Sequence, residues 1–140
     1  MMTSRREFIK QSCGICLGSF ALSWLSACAA IPVIKTEPTK GSITIPISAF
    51  TEKNNSVIVR NNQLEFDILV VKSGNTFNAL QMKCTHQDNP ITASSTGLFC
   101  SAHGSTFDLQ GNVTKEPALH PLKKYKTEIN ESSILIDIGS

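Results

Sequence analysis

Cys84-Thr85-His86 and, after a spacer of 13 residues, Cys100-Ser101-Ala102-His103-Gly104-Ser105-Thr106-Phe107-Asp108 form the stretch on which the reading of this chain turns. At the end of an extended strand, residues i and i+2 point to the same side, so Cys84 and His86 can aim at one point. Cys100 and His103 stand three apart with Gly104 next, which suits a tight turn and lets the backbone approach a bound group closely. Each loop therefore offers one thiolate and one imidazole. Two such loops can pinch a single tetrahedral zinc or a [2Fe–2S] cluster with two sulfur and two nitrogen ligands. A Cys84–Cys100 disulfide is the plain alternative in an exported domain, but it leaves two matched histidines without a purpose.

Outward from these loops the chain alternates with a period close to two, which predicts an all-β fold. Ile43, Ile45 and Ile47 alternate with Thr44, Pro46 and Ser48, and Pro46 restricts that strand to a sheet edge. Val57 to Arg60, Asn61-Asn62 and Leu64 to Val71 read as a hairpin with a tight turn. Further strands are expected at Phe77 to Lys83, at Leu122 to Ile129 with Tyr125, Thr127 and Ile129 inward, and at Ser133 to Ile138. Met82 and Phe99 read as core. From Lys83 to Leu122 about forty residues rich in turn formers separate the strands, a length that compact domains keep for function. The expected architecture is a small antiparallel sandwich or barrel with no helix of ordinary length in its body.

The paired motifs with their tail resemble the Rieske iron–sulfur pattern, C-x-H followed by C-x-x-H-G-x-x-F/Y-D. Gly111 stands where that family has its next turn glycine. Pro117-Ala118-Leu119-His120-Pro121-Leu122 through Tyr125 is similar to the family segment G-P-A-x-x-P-L-x-x-Y, with Glu116 in place of the glycine. The resemblance runs from about Ile43 to Ile138. It implies a Rieske-type antiparallel β-sandwich or barrel with two cluster-binding loops and one [2Fe–2S] cluster per chain. Cys84 and Cys100 would bind the inner iron, and His86 and His103 the outer iron near the surface, where the electron leaves. Potentials of such centres span about −150 to +300 mV, because neutral imidazoles replace two thiolates. Gly104, Ser105, Phe107 and Pro117 would surround the ligands and tune them. Ser105 stands where high-potential members carry a serine that bonds a bridging sulfide, whereas Phe107 replaces their tyrosine, so an intermediate potential is expected. Respiratory members tie their loops with an extra cysteine pair. Asn89 and Ala102 occupy those places here, in which respect the chain is similar to Rieske-type ferredoxins. The resemblance also implies that the loops from Cys84 to Pro117 lose order without the cluster.

The N-terminus reads as an address. Ser4-Arg5-Arg6-Glu7-Phe8-Ile9-Lys10 resembles the twin-arginine export signal, which carries folded proteins with their cofactors in place. No charged residue lies between Cys13 and Ile34. Leu25-Ser26-Ala27-Cys28 is similar to the lipobox of bacterial lipoproteins, in which Cys28 would be acylated. Two alternatives stand beside it: cleavage at Ala27-Cys28-Ala29 to a soluble periplasmic product, or retention of the apolar run as a membrane-spanning helix. The expected organisation is a signal peptide or anchor helix over 1–27, a tether over 28–41, and the iron–sulfur domain over 42–140.

Charge and size restrict the function. The 140 residues carry a formal net charge of +2 and are 41% hydrophobic, which fits one small domain. The excess charge sits at Arg5, Arg6 and Lys10, so the body is neutral and a nucleic-acid binder is excluded. The length leaves no room for the second, mononuclear-iron domain of a Rieske oxygenase. The expected function is an exported, membrane-tethered one-electron carrier, non-enzymatic by itself. It would stand on the periplasmic side of a bacterial membrane and exchange electrons with a redox-protein donor and acceptor. The alternative is a Rieske subunit of a larger membrane or periplasmic oxidoreductase; a zinc lipoprotein is a third reading. His120, between Leu119 and Pro121, reads as a loop histidine.

Overall fold

Alternating apolar residues become strands throughout the described part of the chain, residues 30–139 of the computed structural model. Seven strands form a curled main sheet. They are β1 (Val33–Lys35), β2 (Ser42–Pro46), β3 (Ser56–Arg60), β4 (Ile68–Ser73), β5 (Thr76–Gln81), β10 (Lys124–Ile129) and β11 (Ser133–Asp137). Four shorter strands, β6 (Thr92–Ala93), β7 (Leu98–Phe99), β8 (Thr106–Phe107) and β9 (Val113–Lys115), form a second sheet. The main sheet runs β1-β3-β4-β5-β10-β11-β2 and the small one β6-β7-β8-β9. The only helical element among the described residues is a 3-10 turn at Ile47–Ala49. The signal, the lipobox and Cys28 lie outside the described residues.

Period two decides which side chains are buried. In β2, Ile43 and Ile45 turn inward, and they sit opposite Ile136 and Ile134 of β11. Branched cross-strand pairs of this kind lock the register. Pro46 ends β2 at the sheet margin, where its missing N–H costs no ladder bond. The strand β4 is apolar on both faces, because it divides two cores. Ile68 and Val70 face the first core with Val57, Val59 and the β2 and β11 isoleucines. Leu69 and Val71 face the second with Leu80, Leu98, Phe107, Ala118, Cys84 and Cys100. The second core is the floor of the functional loops.

Several expectations change. The β3–β4 hairpin is antiparallel, but Val59 pairs with Ile68, so residues 61–67 form a loop instead of a two-residue turn. Asn61 is the cause: it is buried, its Oδ1 accepts from the Gln63 N–H at 2.6 Å, and its Nδ2 donates to the Thr36 carbonyl. Arg60 and Asp67 close the mouth of this loop with a 2.6 Å ion pair. The stretch expected to be unstructured between Lys83 and Leu122 holds the whole second sheet. Phe99 is 48% exposed and Ile129 52% exposed. Phe99 must face out because its neighbours Leu98 and Cys100 face in, and Ile129 is the last residue of β10, paired with Ile134 but open to solvent. Within the stretch read as tether, β1 pairs in parallel with β3, while Ile31 and Ile34 pack against the two cores.

The second sheet is closely spaced at Gly97, where an added Cβ would run into the Phe107 carbonyl oxygen. That oxygen belongs to backbone between Phe107 and Asp108 and cannot step aside. Gly97→Ala is expected to destabilise the protein by about 3 kcal/mol, at the upper end of overpacking costs. A Gly74→Ala control, with open space around the site but a left-handed φ of 59°, separates steric from backbone strain in urea unfolding.

Candidate metal centre

Both loops are closed by their own backbones before any ligand is considered. Beyond β5, the Met82 N–H donates to the Asp67 carbonyl at 2.8 Å, and the Ile91 N–H returns to the Met82 carbonyl at 3.2 Å. Between them Lys83 bridges to Pro90, Lys83 Nζ meets Asp88 at 2.9 Å, and the Cys84 N–H donates to the Asn89 carbonyl at 2.8 Å. Cys84-Thr85-His86 therefore projects from a small closed finger. The second loop is the tip of the β7–β8 hairpin. The Cys100 N–H donates to Ser105 O and the Gly104 N–H to Cys100 O, both at 2.9 Å. Gly104 has φ +83°, a left-handed conformation that a side chain would strain.

The four expected ligands divide into two layers. Cys84 and Cys100 are 1% and 0% exposed, and both are free thiols, so the disulfide reading fails. His86 and His103 are exposed above them, with ring centroids 4.9 Å apart and planes at 84°. Burial pushes the Cys84 thiol up, but the His86 N–H, the Cys100 side chain, the Gln87 N–H and the Ser105 hydroxyl bond its sulfur and bring it below the ordinary thiol value. A sulfur that several donors face is the kind of site at which a thiol becomes a metal ligand. The donor set, two buried thiols beneath two exposed imidazoles, suits a group that takes sulfur at its inner end and nitrogen at its outer end.

A third loop, residues 116–121 after β9, closes over the side. Ala118 is fully buried and its N–H donates to Ser105 Oγ at 3.0 Å. Thr85 Oγ1 donates to the His120 carbonyl at 2.6 Å, while Leu119 is 74% exposed. Pro117 is half-buried at the start of this loop, and Phe107 lies 2% exposed in the core beneath the cysteines. Sequence reading did not single out Thr85. The only signal available was its position, one residue from both Cys84 and His86.

Asp108 holds the turn behind Phe107. Its carboxylate accepts from the Gln110 and Asn112 N–H groups at 2.9 and 2.8 Å and from Asn112 Nδ2 at 2.9 Å. Partial burial raises its pKa, but the Asn112 amide, these N–H groups and Lys124 outweigh that and hold the carboxyl below its usual range. A depressed value means that the stabilisation is complete above the unfolded pKa of about 3.9 and is lost as pH falls through the lower folded value. Asp108→Asn is expected to lose stability at neutral pH and to show a flatter acid limb in pH-dependent urea unfolding.

A curled β-sheet with a second small sheet presents buried thiols under exposed imidazoles, an arrangement fit for an iron–sulfur centre. The model of the Rieske [2Fe-2S] domain matches residues 46–126, and the chain belongs to that family, whose domain holds a [2Fe–2S] cluster. It is 35% identical over 75 residues to the cytochrome b6-f complex iron-sulfur subunit of Chlorobaculum thiosulfatiphilum, a match covering 51% of this chain and 41% of that protein. The subunit of the same name from Chlorobaculum tepidum is 27% identical over 74 residues, with the same coverage. The matches thus span only about two fifths of these curated relatives. Among solved structures, the cyanobacterial plasma membrane Rieske protein PetC3 from Synechocystis PCC 6803 matches with a TM-score of 0.56 at 23% identity, covering 67% of this chain and 97% of that one. A chain in the complex of reduced oxygenase and oxidized ferredoxin in carbazole 1,9a-dioxygenase matches with a TM-score of 0.54 at 19% identity, covering 71% and 94%. These two likenesses establish the fold.

Proposed function

We propose that the protein is an exported one-electron carrier, with Cys84 and Cys100 holding one iron of its cluster and His86 and His103 the other. The observation that carries this reading is the layering of the site, thiols at 1% and 0% exposure beneath two solvent-facing imidazoles. When bound, the cluster supplies one-electron redox chemistry at a potential within about −150 to +300 mV. The chain supplies the rest. The second core excludes water from the sulfurs, the finger and hairpin hold the ligands in place, and the exposed rings offer a partner the short edge through which an electron leaves. Gly104 and Pro117 shape the two loop margins, and Ser105 and Phe107 adjust the potential.

The leader supports placement outside the cytoplasm. Arg5-Arg6 would route a folded, loaded protein across the membrane, and Cys28 would anchor it there by lipid, facing the periplasm. Its partners are then a redox-protein donor and acceptor. A second reading, a Rieske subunit within a larger oxidoreductase, is favoured by the cytochrome b6-f relatives. Among the described residues no helix is long and apolar enough to cross a membrane. Native mass spectrometry of the mature protein, with electron paramagnetic resonance after reduction, tests the proposal. An acylated N-terminus at Cys28, a retained cluster mass and a mixed-ligand signal are expected; an iron-free or zinc-loaded protein overturns it. Co-purification from solubilised membranes distinguishes carrier from subunit.

A further inference from the structure

The two ligand loops have no covalent tie, since Cys84 and Cys100 are free and Asn89 and Ala102 are not cysteines. One short stretch of the third loop nevertheless touches both. Ala118 donates its N–H to Ser105 Oγ in the second loop. Two residues later, the His120 carbonyl accepts the hydroxyl of Thr85 in the first loop, across 35 positions of sequence. Leu119 between them is 74% exposed and adds no packing of its own. Ala118 by contrast is fully buried in the core that contains both cysteines, so this end of the stretch is fixed.

We propose that residues 118–120 are a non-covalent clasp joining the two ligand loops, and that Thr85 is a positioning residue that sets His86 against His103 through it. This rests on the ligand assignment above. Thr85 lies between Cys84 and His86 where the finger bends, half-buried between the buried thiol and the exposed ring. A bond at 2.6 Å from that side chain to the clasp therefore fixes the rotation of the finger about its own axis. The angle of the His86 ring follows from that rotation. The bond lies at the surface, with His120 exposed and Thr85 half-buried, so water can replace it with little loss of global stability. Its removal is felt in loop geometry more than in unfolding.

The test compares Thr85→Val and Thr85→Ser with the wild type as full-length, cluster-containing protein. In Thr85→Val, amide exchange over 84–89 and 117–122 and iron release to a ferrous chelator are expected to accelerate about fivefold, the worth of one net hydrogen bond. The resonance signal of the reduced protein should broaden as ring orientations spread. Thr85→Ser keeps the hydroxyl and is expected to restore all three. Thr85→Val behaving as wild type overturns the clasp, and so does Thr85→Ser as impaired as Thr85→Val. If Thr85→Val retains no iron, recovery in Thr85→Ser supports the proposal and failure of both refutes it. A wild type without iron would refute the ligand assignment, while amide exchange in the two loops would still decide the clasp.

Discussion

Cys84→Ser is expected to yield a colourless protein with no resonance signal on reduction, and yet one that remains folded around its first core. The two cores predict this split. Ile43, Ile45, Val57, Val59, Ile68, Val70, Ile134 and Ile136 are all fully buried on one side of β4 and make no use of either cysteine. The second core is built around Cys84 and Cys100 with Leu80, Leu98, Phe107 and Ala118. Its sheet consists of strands of two or three residues, too short to stand without support. There the free energy of ligation becomes free energy of folding. Amide exchange should therefore lose protection from about residue 84 to residue 117, while β3 and β4 keep theirs. Cys100→Ser is expected to behave alike, because the proposed assignment makes each sulfur half of the inner pair. A variant that keeps its iron, or one that loses protection evenly across both sheets, would contradict the ligand assignment or the division into two cores.

The strands were legible where burial acts on one face at a time. Ile43 and Ile45 alternate with Thr44 and Pro46, and β2 lies at the sheet edge as Pro46 requires. Legibility failed where a distant contact overrides local chemistry. Asn61-Asn62 has the composition of a tight turn, but Asn61 is buried against Thr36, and the loop lengthens to admit that bond. Residues 33–35 sit in a stretch with the proline content of a tether, and their strand exists because β3 offers an unpaired edge. Phe99 is hydrophobic enough for a core, but it is fixed outward between Leu98 and Cys100. Each proposed ligand pair is local, two or three residues apart on one loop, so naming it needed no long-range contact. Thr85 and His120 meet across 35 positions, and nothing in the composition of either segment announces it.

Ser105 and Phe107 should move the reduction potential in opposite directions, and the structure indicates how far. Ser105 is fully buried; its oxygen accepts the Ala118 N–H, and its proton is left to give to the Cys84 sulfur. It is not a turn residue satisfied by its own backbone. A hydrogen bond to ligand sulfur withdraws electron density and favours the reduced centre. If about 1 kcal/mol of that bond differs between the redox states, the shift for a one-electron couple is about 40 mV. Ser105→Ala is expected to lower the midpoint by at least about that amount. It should also cost about 1–3 kcal/mol of stability by leaving the buried Ala118 N–H without an acceptor. Phe107→Tyr adds a hydroxyl from the same buried layer and is expected to raise the midpoint by about 40 mV without removing any bond. The pair distinguishes tuning from damage, because a general loosening of the loops would shift both potentials in the same direction. Redox titration of the two variants beside the wild type decides it: shifts of opposite sign sustain the tuning role, and an unmoved potential in both refutes it.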